Sequence, residues 1–147
     1  MTIKSINAKD TFTVRHPVLR PGRPIEDCCF ELDNHASSLH LGMEFNGEII
    51  AVLSALPIKC ENFPNLMSMR LRGIATLHAF QKKGLGSQLM IEVEKRLLKL
   101  KKIRLIWLNA RISARSFYQN LGYKTMGETI NIRDIGIHQF MYKKLLE

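Results

Sequence analysis

A short basic segment with two glycines, Gln81-Lys82-Lys83-Gly84-Leu85-Gly86, offers the most specific chemistry in this sequence. Glycine lets the backbone pass close to a ligand, and the first amides of a helix starting here would have no intrahelical acceptor. Such amides, at the positive end of a helix, bind phosphate groups. Two neighbouring lysines add positive charge. The segment therefore predicts a phosphate-binding loop, and a plain helix-capping turn is the alternative.

Two widespread phosphate-binding patterns do not fit this loop. The dinucleotide-binding fingerprint G-x-G-x-x-G requires a third glycine, and Leu89 stands in its place. The P-loop requires Gly-Lys-Ser or Gly-Lys-Thr after a four-residue gap, which is absent. A different pattern, Gln-x-x-Gly-x-Gly, remains.

The elements around the loop predict how it is positioned. Residues 70–76 suit an extended strand before it. After it, apolar residues recur every four positions from Leu85 to Leu97, which predicts an amphipathic helix. Lysines and an arginine cluster near the helix C-terminus, where cations complement the helix dipole. The sequence thus predicts a strand, a phosphate loop and a helix in succession.

A tyrosine in the next helix is the second candidate for chemistry. The apolar run Ile103–Leu108 predicts a strand that Asn109-Ala110-Arg111 ends, and Ser113 can cap a helix over 114–121 that stops at Gly122. Tyr118 on this helix is a protonated acid at neutral pH. Alternatively, Phe117 and Tyr118 both belong to a core stripe.

Two segments together resemble the GNAT-type acyl-CoA N-acyltransferases. They are Gln-x-x-Gly-x-Gly at 81–86 and Ala-x-x-Phe-Tyr-x-x-x-Gly-Tyr at 114–123. The segments Leu-Arg-Pro-Gly at 19–22 and Asn-Ala-Arg at 109–111 are similar to those of a poorly characterised branch of that family. Arg111 is a departure, because many members have asparagine there. The resemblance covers about residues 39–145.

This resemblance implies a fold, a co-substrate and an activity. The fold would be α/β, with a mixed, splayed central sheet of about six or seven strands flanked by helices, in a single domain spanning 1–147. The activity would be acetyl transfer from acetyl-CoA to an amine of a small molecule or peptide, by direct attack and without a metal. Thr76 would supply a backbone N–H to the thioester oxygen, and Tyr118 would protonate the departing thiolate. The cofactor-binding residues would be Ala75, Thr76, Leu77, Gln81, Lys82, Lys83, Gly84, Leu85, Gly86, Ser87 and Asn109.

Composition leaves two other functions open. The net charge of +9 suits an anionic partner. Coenzyme A is one, bound by an active enzyme or by a catalytically silent acyl-CoA sensor. Nucleic acid is the other, but the lysines are dispersed and no aromatic platform accompanies them, so it is disfavoured.

In the layout that the resemblance implies, the segment after the first strand, here a proline-stiffened loop, lies over the acceptor side of the cleft. Arg15, Arg20 and Arg23 lie in or beside this loop, and Arg72 and His138 are further candidates. Arginines bind carboxylates and phosphates bidentately, which predicts a small acceptor with an acidic group rather than a polyamine. Alternatively, nearby carboxylates neutralise these arginines. His138, Glu128, Glu31 and His40 are candidate general bases.

The remaining sequence predicts a frame for these sites. It predicts an edge strand over 1–8, a helix over 10–19 and a hairpin of residues 39–45 and 48–56 through an Asn-Gly type I′ turn. A closing ribbon would pair 123–130 with 137–144 through a turn at 134–136. No run of about 20 apolar residues or signal peptide is visible. Three cysteines, with Cys28 and Cys29 expected to be buried, form no C-x-x-C motif and suit a reducing cytoplasm. The sequence leaves monomer and homodimer open.

Overall fold

One mixed β-sheet organises the chain. The computed structural model describes residues 1–133 and 135–145, and within them the sheet contains eight strands. Its order is β1-β2-β3-β4-β5-β8-β6, with β7 also paired to β8. All pairings are antiparallel except that of β4 with β5. The strands are β1 (Thr2–Ser5), β2 (Leu39–Phe45), β3 (Glu48–Leu56), β4 (Ser68–Thr76), β5 (Leu105–Arg111), β6 (Lys124–Thr125), β7 (Ile130–Ile132) and β8 (Gly136–Lys144).

Helices cover both faces of this sheet. They are α1 (Phe12–Leu19), α2 (Leu85–Lys99) and α3 (Arg115–Asn120). Successive residues of β3 point to opposite faces: Val52 packs in a cluster with Val14 of α1, whereas Leu53 lies in the larger core with Leu89 of α2. The two helices therefore lie on opposite faces. None of the helices in the described part of the chain is long and apolar enough to cross a membrane.

Several local predictions are confirmed. The hairpin has the predicted strand bounds, and the positive φ angles of Asn46 (51°) and Gly47 (80°) are those of a type I′ turn. The amphipathic helix is confirmed as α2, which buries the predicted stripe. The splayed α/β sheet is confirmed. It has eight strands rather than six or seven, because the C-terminal ribbon contributes two short strands, β6 and β7, and one long strand, β8.

Several boundaries differ from the predictions. β1 is shorter than the predicted strand over 1–8, and the predicted ribbon strand over 123–130 is divided into β6 and β7. Two further differences lie next to the candidate site. β5 does not end at Leu108 but continues to Arg111, because β8 pairs with it along its whole length. Ser113 does not cap the next helix. A 3₁₀ turn (Ile112–Ala114) precedes α3, whose N-cap is Ala114, without a side-chain capping bond. Of the predicted turn at 134–136, Asp134 lies outside the described residues.

The parallel pair β4–β5 separates after three residue pairs. Their register runs from Ser68 opposite Leu105 to Arg70 opposite Trp107. Beyond these pairs β4 stays bonded to β3, and β5 stays bonded to β8. A gap therefore opens within the sheet between the C-terminal halves of β4 and β5.

A bulge bends β4 beside this gap. Val52 pairs with Ala75 and Ser54 with Arg72, so Leu53 alone faces both Gly73 and Ile74. Gly73 has φ +66°, and a Cβ there would lie 2.7 Å from the Phe30 ring. Both the left-handed backbone and the close aromatic contact require glycine at this position.

Candidate functional site

The predicted phosphate loop presents a run of free amides. The first bond of α2 is donated by Gln88 N–H to Gly84 O at 3.2 Å. In the described part of the chain, the six preceding amides, from Lys82 to Ser87, have no hydrogen-bond acceptor. Lys82 and Gly84 have φ of 63° and 79°, and this left-handed geometry turns successive N–H groups toward one concave side. The loop therefore suits an anion such as a pyrophosphate.

Gln81 fixes this loop to the end of β4. Its Nε2 donates to Thr76 O at 2.9 Å, although the side chain itself is exposed. The loop and the edge of the gap are thereby joined by a side-chain hydrogen bond, which explains a glutamine at the first position of the motif.

The amides at the end of β4 alternate between β3 and the gap. Leu77 N–H donates to Ile50 O at 2.9 Å, so it faces β3. Alternation along an antiparallel pair turns the N–H of Ala75 toward β3 as well and the N–H of Thr76 toward the gap. Of the predicted cofactor-binding residues Ala75, Thr76 and Leu77, Thr76 is thus the one with its amide on the open edge.

Tyr118 is almost buried beneath the loop helix. Its ring contacts Phe117 edge-to-face and is 9% exposed. Its hydroxyl has no hydrogen-bond partner among the described residues. Burial raises its pKa to about 12, so the phenol is protonated at neutral pH. Core packing and an acid role are compatible here: the ring packs while the hydroxyl remains unengaged.

A cavity of about 150 Å³ lies where β4 and β5 separate. Basic groups from four chain segments line it, together with apolar side chains and Asn109. The lining residues are Leu19, Arg20, Phe30, Arg70, Leu71, Arg72, Gly73, Asn109, Arg111, Ile132, Ile135 and His138.

Three of the five predicted acceptor-side residues reach this cavity, but Arg15 and Arg23 do not. Arg20, Arg72 and His138 line it. Arg15 was predicted to lie in or beside the basic loop. It instead lies on α1, where it is fully buried and paired with Asp33. Arg23 pairs with Asp27 at the surface, so local neutralisation, the alternative interpretation, holds for this residue.

Arg70 and Arg111 were missed as lining residues. A signal existed for them: Arg70 and Arg72 are two residues apart on one strand, as are Asn109 and Arg111 on another, so each pair shares a face. Their meeting depends on β5 continuing through Arg111, which the sequence interpretation ended too early. Asn109, predicted to bind the cofactor, lies in this cavity.

The candidate bases fall into different environments. His40 is buried, with its ring nitrogens 2.6 Å from Ser54 Oγ and 2.7 Å from Asp33 O, which is a structural arrangement. His138 Nδ1 lies 3.0 Å from Gly136 O. A carbonyl only accepts, so Nδ1 donates this bond, and in a neutral ring Nε2 is the nitrogen that can accept a proton. Glu31 and Glu128 are exposed, and Glu128 borders a neighbouring cavity beside Trp107.

The cysteines correct one further prediction. Cys28 is buried as expected, but Cys29 is exposed, because the short turn over 25–28 places them on different sides of the chain. No group of three or more histidine, cysteine or acidic side chains that could hold a metal ion occurs in residues 1–133 and 135–145.

A gap in a mixed sheet, with a run of free amides at its edge and a buried phenol nearby, is the arrangement expected of an acyl-CoA-dependent acetyltransferase. Residues 36–125 match the family model described as "Acetyltransferase (GNAT) domain". The chain is 35% identical over 145 residues to an uncharacterized N-acetyltransferase, YitI, of Bacillus subtilis (strain 168), covering 99% of this chain and 97% of that protein. The protein belongs to the GNAT acetyltransferase family, whose members transfer an acetyl group to an amine.

Solved structures agree on the fold. An aminoglycoside 6′-N-acetyltransferase complexed with coenzyme A has a TM-score of 0.79 at 13% identity, covering 100% of this chain and 98% of that chain. A putative N-acetyltransferase from Lactobacillus plantarum has a TM-score of 0.77 at 19% identity, covering 99% of this chain and 100% of that chain. At these identities the likeness concerns the fold. The family match, rather than these structures, makes the chain an acyl-CoA-dependent acetyltransferase.

Proposed function

We propose that the chain, acting as one domain over 1–147, transfers the acetyl group of acetyl-CoA directly to a small-molecule amine. The observation that carries the proposal is the run of six free amides at the start of α2, next to the gap between β4 and β5. This arrangement supports a pyrophosphate bound at the loop and a pantetheine arm bound along the open edge of β4. The arm would form the strand-like hydrogen bonds that β5 does not form there.

The open edge also suits the charge that develops during transfer. Attack on the thioester places negative charge on its oxygen, and a fixed N–H donor stabilises that charge. The amide of Thr76 faces the gap, and Gln81 holds the carbonyl of the same residue. Because the donor belongs to a strand bonded to β3, it needs no reorganisation when the oxyanion forms.

Tyr118 would donate the proton that the leaving thiolate requires. Its unengaged hydroxyl and its pKa of about 12 favour a neutral acid rather than a phenolate. Through Nε2, directly or by way of water, His138 would take the proton that the acceptor's ammonium group must lose before the amine attacks. This residue lines the cavity on the α1 face, whereas Tyr118 belongs to the core on the α2 face. Acid and base would thus serve opposite sides of the thioester.

The acceptor would enter from the α1 face. Arg20, Arg72 and His138 line the cavity there, and the phosphate loop begins a helix on the other face. The two substrates would therefore approach the gap from opposite sides, as direct transfer without a covalent enzyme intermediate requires. The three cysteines are free, which suits work in a reducing cytoplasm.

Coenzyme A binding to Gly86 variants tests the loop. Gly86→Asp adds a negative charge to the first turn of α2, beside the free amides, where it repels phosphates, so calorimetry should detect no coenzyme A binding to this variant. Gly86→Ala is the matched control: its Cβ would meet the Phe117 ring at an ordinary 3.4 Å, so it should fold and keep most of the affinity. Equal affinity of both variants and the wild type would remove the loop from the proposal.

Turnover distinguishes the enzyme from a silent sensor. Thiol release from acetyl-CoA should require an added amine and should be accompanied by an acetylated product in mass spectrometry. Tight coenzyme A binding without transfer to any amine would instead favour a binding module.

A further inference from the structure

Four arginines converge on the cavity between β4 and β5, and within residues 1–133 and 135–145 no carboxylate lines it beside them. Arg20, Arg70, Arg72 and Arg111 line it together with His138, and none of its described lining residues is acidic. We propose that the acceptor amine carries a carboxylate or phosphate group, which these arginines bind. This inference rests on the proposed acetyl transfer and names the substrate class of its acceptor site.

The arginines of the cavity differ from the other arginines nearby. Arg15 is bonded to Asp33, Cys28 O and Ser54 Oγ, and Arg23 is bonded to Asp27. In contrast, no described carboxylate forms an ion pair with Arg70 or Arg72. The buried Nε of Arg70 has no hydrogen-bond partner, a feature that it shares with Arg15. Guanidinium groups with unused donors in a cavity are poised for an external oxyanion.

Aromatic rings hold two of these guanidinium groups in place. The guanidinium carbon of Arg72 lies 4.1 Å from the centroid of the Phe30 ring, and that of Arg70 lies 5.1 Å from the centroid of Trp107. Ring faces attract cations but do not neutralise them. Burial and the neighbouring Arg70, Arg20 and Arg15 lower the pKa of Arg72 to about 10. An anionic ligand would compensate the guanidinium group of Arg72 for its lost hydration and for its repulsion by the neighbouring arginines.

The cavity is distinct from the coenzyme A phosphate loop. Ser54, opposite Arg72, bonds to Arg15 of α1, which places this face of β4 on the α1 side. The phosphate loop begins α2, which lies on the other side of the sheet. Gly73 of the bulge lines the cavity, so a bound anion would lie beside the gap and leave the acceptor's amine to reach the thioester.

Matched pairs of amines test the inference by binding as well as by turnover. The probes are O-phosphoethanolamine against ethanolamine, and aspartate against its diamide, each with coenzyme A present. In wild type, the anionic member should bind about tenfold or more tightly, as calorimetry measures. A larger difference within the first pair would indicate a phosphate group on the acceptor, and a larger difference within the second pair would indicate a carboxylate.

Three variants locate the effect. Arg72→Gln and Arg70→Gln should each reduce the anionic preference about tenfold or more, with coenzyme A affinity unchanged. Arg23→Gln removes the same charge outside the cavity and should leave the preference as in wild type. Arg72→Lys keeps the charge without the planar fork and should retain part of the preference.

Several results would overturn the inference. They are equal binding or no binding of the anionic probes, preferential acetylation of spermidine, or a preference that survives both glutamine variants. If the wild-type protein showed no coenzyme A binding, that result would instead contradict the proposed acetyl transfer itself.

Discussion

Arg15 and Asp33 form a two-pronged ion pair in the interior, with Nη1 2.7 Å from one carboxylate oxygen and Nη2 3.1 Å from the other. Their side chains are 0% and 1% exposed. The pair joins α1 to the segment that precedes β2, and Arg15 also lies over the Phe30 ring at 3.9 Å. The same ring supports Arg72 of the acceptor cavity. An interior pair therefore underlies one wall of the candidate site.

Breaking this pair should strongly destabilise the protein. Asp33→Asn leaves the Arg15 guanidinium buried without its counter-charge, which typically costs about 3–5 kcal/mol. Asp27→Asn is the control, because it removes the carboxylate paired with Arg23, which is 61% exposed, and should cost about 1 kcal/mol or less. Urea unfolding of both variants measures the difference. Similar losses in the two variants would show that the buried pair has no special role.

Removing the hydroxyl of Tyr118 should slow the chemical step. Tyr118→Phe keeps the packed ring, so acetyl-CoA affinity should change little, while kcat should fall by about a hundredfold. Tyr123→Phe is the matched control: it removes another buried hydroxyl, bonded to Glu94 at 2.9 Å, and should leave kcat unaltered. Steady-state kinetics with the best acceptor decides. Equal kcat values for Tyr118→Phe and wild type would assign Tyr118 to the core alone.

The two buried tyrosines should make the fold sensitive to alkali. Burial raises the pKa of Tyr118 from 10.0 to about 12, and burial together with Glu94 raises the pKa of Tyr123 further. Below pH ~10 both phenols are protonated in the folded and unfolded states, and they contribute no pH dependence. Above it the unfolded chain releases protons that the folded chain retains, so stability falls by about 1.4 kcal/mol per pH unit for each tyrosine.

Alkaline unfolding of phenylalanine variants checks this sign. Tyr118→Phe should lose less stability than wild type between pH ~10 and about 12, and the double variant with Tyr123→Phe less still. Measured below pH ~9, the stability difference between each variant and wild type should be independent of pH. A wild-type stability that rises with pH in the alkaline range would contradict the assignment.

Local sequence signals predicted the parts of the fold that depend on nearby residues. The Asn46-Gly47 turn and the α2 stripe are such parts, because turn geometry and helical periodicity are set within a few residues. Arg15 was misplaced because its partner Asp33 is 18 residues away, and no local pattern shows that a helix buries this arginine. β5 was ended early because Asn109 and Arg111 are polar, although both lie on the side of the strand that faces the cavity.

For the same reason, the sequence predicted the loop at the start of α2 more completely than it predicted the acceptor cavity. The phosphate loop is one contiguous motif, so its six residues could be read from the sequence. The acceptor cavity combines five segments, and its composition depends on the separation of β4 and β5 and on the bulge at Gly73. Arg70 and Arg111 became candidates only when those strands were placed side by side.

The separation of β4 and β5 has a consequence for self-association. A strand edge with free N–H and C=O groups recruits strands from other chains, and exposed edges are a common route to aggregation. Here the open edges of β4 and β5 face each other within one sheet rather than outward at its ends. The molecule therefore keeps an unsatisfied edge available to an extended ligand without presenting that edge to its own copies.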